Sequence, residues 1–230
     1  MPGEPLGTVI VTGGSSGLGA AVARAVDEAG GTPVVLDMAE PADGLEGELV
    51  DLGRTRDAES AVSRVAKRHE DLRGVVTAAG IDSCGPLADV DAALWERVVA
   101  VNLLGTAAVV RAALPHLERS GGRVVTVAST LGLRALGDAT AYCASKFGVV
   151  GFTRALATET AGRVGVTLLV PGGMDTAFFE GRPERYRPAA DAQLAPPAEV
   201  ADAVVFALSR PPGTELREIV VCPSTEPSWP

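Results

Sequence analysis

Short apolar runs and longer amphipathic stretches take turns along this chain. The runs fall at residues 8–12, 33–37, 48–52, 74–78, 123–129, 164–170 and 218–222. Most are rich in Val, continuous rather than alternating, and bounded by Gly or polar residues. That is the pattern of strands buried on both faces of a parallel sheet. Between them the apolar positions recur at helical spacing. In residues 16–30 they are Leu18, Ala21, Val22, Ala25 and Val26, one face of a helix. Residues 55–70, 92–118, 140–161 and 197–209 read as helices too, the last with Val200, Val204 and Leu208 at every fourth position. Strands separated by crossover-length helices predict an α/β fold, a doubly wound, seven-stranded parallel sheet flanked by helices. No linker, internal repeat or low-complexity tract interrupts the alternation, so residues 1–230 are expected to form a single domain.

Two stretches depart from the pattern. Residues 172–196 are rich in Pro, Arg and Ala and only weakly periodic. They follow a strand, which puts them on the carboxyl edge of the sheet, where such folds bind ligands, and a loop of that length is expected to be a lid. Residues 223–230 read as an irregular tail.

Composition narrows the function. A net charge of −9 argues against nucleic acid and against an anionic membrane surface as partners. The longest apolar runs are broken by Gly, Arg or Ser before they reach the length of a membrane span. The N-terminal residues 1–7 lack the basic start of a signal peptide. The three cysteines, Cys84, Cys143 and Cys222, are far apart and have no metal-ligand spacing, which fits a cytoplasmic protein with reduced thiols and no metal. His69 and His116 lie in charged helical stretches and read as solvent-facing.

The first strand runs into Gly13-Gly14-Ser15-Ser16-Gly17-Leu18-Gly19 and then into a helix. Glycines allow a tight turn and close approach of the backbone to a pyrophosphate, and the helix offers free N–H groups and a positive dipole end to that anion. An ordinary glycine-rich turn is the alternative. Asp37 ends the second strand, where a carboxylate accepts from both ribose hydroxyls of NAD and repels the extra phosphate of NADP. No Arg or Lys occurs in the glycine loop or in residues 37–40, so NAD (NADH) is the expected cofactor. Tyr142 and Lys146 stand four residues apart and share a helix face. Such a pair is often only a solvated surface. Here Ser129 lies thirteen residues before Tyr142, at the end of the fifth apolar run, and Asn102 sits mid-helix in the preceding unit.

These motifs together resemble the short-chain dehydrogenase/reductase family in its compact single-domain branch, over nearly the whole chain. The resemblance implies a Rossmann-type fold and hydride transfer between a nicotinamide and a secondary alcohol or ketone. It implies Tyr142 as general acid/base, with Lys146 lowering its pKa and holding the nicotinamide ribose. Ser129 is implied to hold the substrate oxygen and stabilise the oxyanion, and Asn102 to order a relay water. Asp51 and Leu52 match the family's adenine-side pair, although a plain strand-end turn fits them equally. Ala78, Ala79 and Gly80 match the family's close approach to the cofactor, with Thr77 where the family usually has Asn. Pro171, Gly172, Met174 and Thr176 match its nicotinamide-side loop, unless Pro-Gly is a simple turn. The substrate walls are expected at residues 80–85, 130–136 and 172–196, offering Cys84, Leu131, Leu133, Met174, Phe178 and Phe179. Arg182, Arg185 and Arg187 read as a solvated loop face rather than an anion clamp. The chain resembles both 3-oxoacyl reductases and 3-hydroxy acid dehydrogenases of the family. The resemblance also implies a homo-oligomer, a tetramer or dimer, formed through the long helices. A non-catalytic NAD sensor on the same fold, a sugar-nucleotide epimerase and a scaffold are the competing readings. The first is expected to lack the Tyr or Lys, and the second to carry a longer C-terminal domain.

Overall fold

The structure, a computed structural model, describes residues 6–41 and 44–229. Residues 1–5, part of the stretch read for a targeting signal, lie outside the described residues, as does Pro230 of the tail. Seven strands pair in parallel in the order β3-β2-β1-β4-β5-β6-β7. They are β1 (Thr8–Thr12), β2 (Thr32–Asp37), β3 (Glu46–Leu49), β4 (Leu72–Thr77), β5 (Arg123–Val127), β6 (Gly165–Pro171) and β7 (Glu218–Val221). The helices are α1 (Gly17–Glu28), α2 (Thr55–Arg68), α3 (Ala92–Val99), α4 (Thr106–Ser120), α5 (Thr140–Glu159) and α6 (Pro197–Leu208). The doubly wound parallel sheet expected from the apolar runs is therefore present.

Side chains of one strand alternate between two cores. Ile10, Val34 and Leu36 face α2, α4 and the end of α5. Val9, Val11 and Val35 face α1 and α6. Every residue of β1 is buried, which is why its β-branched sequence is continuous rather than alternating. The edge strands differ. In β3, Glu46 and Glu48 reach Arg68 and Arg64 of α2 at the surface. Its apolar sequel, Val50 and Leu52, was expected to continue the strand. Both are buried beyond its end, in the turn into α2.

Strand order reverses between β1 and β4, so the crossovers leave the sheet in opposite directions and a crevice opens at the carboxyl ends of the strands. Asp91 caps α3 by accepting from the N–H groups of Ala93 and Leu94 at 3.0 and 3.1 Å. Gly121, with φ of 63°, ends α4 in the left-handed conformation. The helix expected at residues 92–118 is interrupted by a π-helical turn, Ala100–Gly105. The whole run Ala92–Ser120 is long and apolar enough by composition to cross a bilayer, contrary to the reading of its sequence, but half of its most apolar window is buried in the protein.

Leu117 is fully buried between α4 and the sheet at the end remote from the crevice. Leu117→Ala is expected to cost about 2–5 kcal/mol, read as a lower urea midpoint at unchanged slope. A midpoint within experimental error of wild type would mean that this core collapses around the deletion.

Candidate active site

The crevice is a cleft of about 1080 Å³. Its lining includes every candidate catalytic and cofactor residue from the sequence except Ser15 and Asn102.

At one end lies the glycine loop. Gly13 has φ of 70° and Gly17 of 52°, values that favour glycine. A Cβ on Gly13 would lie 2.7 Å from the Ala79 backbone, and one on Gly19 only 2.1 Å from the Gly13 carbonyl oxygen. The loop is thus folded back on itself and against the end of β4. Ser16 caps α1 without a side-chain hydrogen bond, which leaves the first N–H groups of the helix to the cleft. This cradle fits the pyrophosphate of a dinucleotide.

Asp37 holds the loop from the side. Its Oδ2 accepts from the Ser15 N–H at 3.0 Å and from the Ser15 hydroxyl at 2.6 Å, and its Oδ1 from the Met38 N–H at 2.6 Å. The carboxylate is therefore held beside the glycine loop by the loop itself. Asp51 follows β3, and its carboxylate is engaged by Arg97 of α3 at 2.6 and 3.0 Å and by the Gly53 N–H at 2.9 Å. The hydrogen bond from Arg97 is the main reason that the Asp51 carboxyl sits below the usual carboxylate range. Sequence reading missed Arg97. It is 46 positions from its partner, and nothing in the local pattern of α3 marks it.

At the other end are the chemical groups. Ser129 lies two residues past β5 and begins a 3₁₀ turn, Thr130–Gly132, its Oγ accepting from the Leu131 N–H at 3.1 Å. Tyr142 and Lys146 come from the first turns of α5. The Lys146 ammonium is buried, donates to the Val127 carbonyl at 2.8 Å and lies 5.6 Å from the Tyr142 ring centre. Burial pulls Lys146 down to about 8. Burial also pushes the Tyr142 phenol up to about 12, against a hydrogen bond with Ser129 that favours the phenolate. The groups that lower the phenol are Ser129 and Arg182 rather than the expected Lys146, and burial outweighs them.

Asn102 sits in the π-helical turn, whose widened backbone turns it inward. Its Oδ1 accepts from the Ile81 N–H, and its Nδ2 donates to the Ile81 carbonyl, each at 2.9 Å, and to Ser145 Oγ at 3.0 Å. It ties the segment after β4 to α5. Along that segment the Thr77 hydroxyl is buried with no partner among the described residues, whereas Thr12 Oγ1 accepts from the Ala79 N–H at 3.1 Å.

The segment expected to be a lid, residues 172–196, carries regular structure of its own. Met174 pairs with Ala195, and two 3₁₀ turns, Ala177–Phe179 and Glu184–Tyr186, stiffen it. Arg182 does not lie on a solvated face. Its guanidinium lies over both the Phe178 and the Phe179 rings, 4.7 Å from each centre, and bonds Asp82 at 2.8 Å. The Asp82 side chain is only 8% exposed. Tyr186 donates to Asp138 at 2.9 Å. Two bonds thus latch the lid to the opposite wall. Phe178 also packs on Tyr142, with ring centres 5.6 Å apart. Of the expected wall residues, Leu133 turns away to pack against Ala128, Val149 and Val150. Cys84 stays in the cleft, but burial and the neighbouring Asp82 push its thiol up to about 11, which makes it a poor nucleophile.

Comparison with known proteins agrees with this geometry. A family model described as short chain dehydrogenase matches residues 7–187. The chain is 36% identical to cis-4-hydroxycyclohexanecarboxylate dehydrogenase of Sinomonas cyclohexanicum, over 87% of this chain and 88% of that one. It is 32% identical to 2-(S)-hydroxypropyl-CoM dehydrogenase 3 of Xanthobacter autotrophicus, over 87% and 89%. A crystal structure of an actinorhodin polyketide ketoreductase variant with NADPH superposes with a TM-score of 0.82 at 28% identity, covering 94% of this chain and 95% of that one.

The lid latch generates a prediction. Arg182→Ala strands the Asp82 carboxylate in a poorly solvated wall and is expected to cost about 3 kcal/mol in urea unfolding. Adding Asp82→Asn should restore part of that loss. Equal midpoints for the single and double variants would show that the Asp82 carboxylate is not left uncompensated when Arg182 is removed.

Proposed function

The chain belongs to the short-chain dehydrogenase family, oxidoreductases that act on alcohols, and on that footing we propose that it interconverts a secondary alcohol and a ketone with NAD(H). The observation that carries the reading is the meeting of Ser129, Tyr142 and Lys146 at one end of a cleft whose other end is the glycine cradle. The bound nicotinamide supplies or accepts the hydride. Everything else falls to the chain.

In the reducing direction, the substrate oxygen lies between the hydroxyls of Ser129 and Tyr142. Ser129 donates to the developing oxyanion, and Tyr142 hands over its proton. A phenol near 12 is protonated throughout the physiological range, the form that this step requires. In the oxidising direction the reacting form is the Tyr142 phenolate, which takes the alcohol proton and becomes the phenol, and the Lys146 ammonium beside it favours that phenolate. Asn102 supports the relay through its hold on Ile81 and Ser145. Leu18, Leu52, Ala78, Ala79 and Gly80 wall the cofactor, and Pro171, Gly172, Met174 and Thr176 face its nicotinamide end. The substrate is a small one with an apolar body, because Leu131, Leu136, Met174, Phe178 and Phe179 line its side of the cleft. Exposed Leu104 and Phe147, on the π-helical turn and on α5, support a homo-oligomer built on those helices.

NAD(H) rests on Asp37, whose charge at the ribose corner opposes a 2′-phosphate. NADP(H) is the second reading and has an observation of its own, the presence of Arg97 at the adenosine end. Pairing with Asp51 neutralises that cation, which favours NAD(H).

Two substitutions test the proposal. Tyr142→Phe is expected to lower turnover by about 100-fold or more while NADH still binds, as followed by fluorescence titration. Turnover close to wild type would move the acid/base role to another group. Asp37→Ala is expected to narrow the preference for NADH over NADPH by about tenfold, since it removes a like-charge repulsion. An unchanged ratio would dismiss Asp37 as the selector.

A further inference from the structure

The tail is irregular, as expected, with no helix or strand in residues 222–229, and it is built into the cleft. After β7 the chain turns at Pro223, whose carbonyl accepts from the Glu226 N–H at 3.0 Å, and runs between two walls of the cleft. On one side, Glu226 Oε2 accepts from the Gly173 N–H at 2.8 Å, in the loop that follows β6. On the other, Ser228 Oγ lies 2.7 Å from the hydroxyl of Thr130, the neighbour of Ser129. Ser228 also donates to Glu226 Oε1 through its hydroxyl at 2.5 Å and its N–H at 3.1 Å. Arg134 donates to the Pro227 carbonyl at 3.1 Å, and Thr225 to Gln193 of the lid at 3.0 Å. Trp229 packs beside Leu133 against Ala128, Val149 and Val150.

Glu226 is the centre of this strap. Burial pushes its carboxyl up, but hydrogen bonds from Ser228 and Gly173 more than compensate and hold it below the usual carboxylate range. The carboxylate therefore stays charged and gives Gly173 a charge-assisted acceptor. Gly172 is shaped to the same contact. A Cβ there would stand 2.5 Å from Glu226 Oε2 and 2.6 Å from Cys222 Cβ. Only glycine lets the tail come this close, so Gly172 serves the strap as well as the turn after β6.

We propose that Glu226 is a positioning residue, holding the backbone of the 171–176 loop in register for the nicotinamide end of the cofactor and tying that loop to the Ser129 wall. The inference rests on the cofactor reading above. It is tested by hydrogen–deuterium exchange on the intact, cofactor-free protein and by titration with NADH, for wild type, Glu226→Ala and Glu226→Gln.

Glu226→Ala is expected to speed exchange at the Gly173 amide about tenfold and to weaken NADH binding to a similar degree, the scale of one charge-assisted hydrogen bond. Gln keeps a neutral acceptor for Gly173 but turns its NH2 toward Ser228, whose N–H loses its acceptor, so Glu226→Gln should recover part of both losses. The Tyr142 and Lys146 amides on α5 should exchange as in wild type. Unchanged exchange at Gly173 in Glu226→Ala overturns the proposal. So does faster exchange spread along the whole chain without recovery by Gln, since that would be a general loss of stability. Should wild type bind neither NADH nor NADPH, the cofactor reading fails, and the exchange comparison still decides the role of Glu226.

Discussion

Seven strands run parallel, and a parallel strand can be followed by another only after a crossover returns the chain to the starting edge. Every loop that leaves a strand therefore emerges on the same edge. That constraint assembles the site. Gly13, Asp37, Asp51, Ala79, Ser129 and Pro171 all stand at or just beyond strand ends, spread over most of the chain yet bordering one cleft. The reversal of order between β1 and β4 opens the cleft, because helices α1 and α6 pack on one face there and α2, α4 and α5 on the other.

Within that frame, burial decides the chemistry more than pairing does. Lys146 is enclosed with the Val127 carbonyl as its acceptor, and its charge is disfavoured. Tyr142 is enclosed beside it, and its proton is held tightly. Lys146 thus lies below its ordinary value and Tyr142 above it, because burial disfavours the charged form of each.

The walls follow the same economy of polar groups. Polar side chains that face the cleft tend to bind another wall: Asp37 holds Ser15, Asp51 holds Arg97, Asp82 holds Arg182, Asp138 holds Tyr186 and Glu226 holds Gly173. Acidic residues thus account for five of these cross-links. The negative charge of the sequence is in part placed there, on loops that would otherwise be free to move.

The amino-acid sequence alone determined the fold class, the parallel character of the sheet and the glycine cradle. Each of these is written in local spacing: buried strands are continuous, helices repeat every three to four residues, and a turn against backbone needs glycine. The grouping of Ser129 with Tyr142 and Lys146 was legible only through the family resemblance. What was not legible depends on partners distant in sequence. Arg97 meets Asp51, Arg182 meets Asp82 and Glu226 meets Gly173 across separations of 46, 100 and 53 residues. The π-helical turn at Asn102 and the early end of β3 were equally hidden, since both are set by how a segment packs rather than by its own composition. Tertiary structure decided which charges are neutralised, which loops are latched and where the tail lies, because a side chain's energy depends on what surrounds it once the chain has folded.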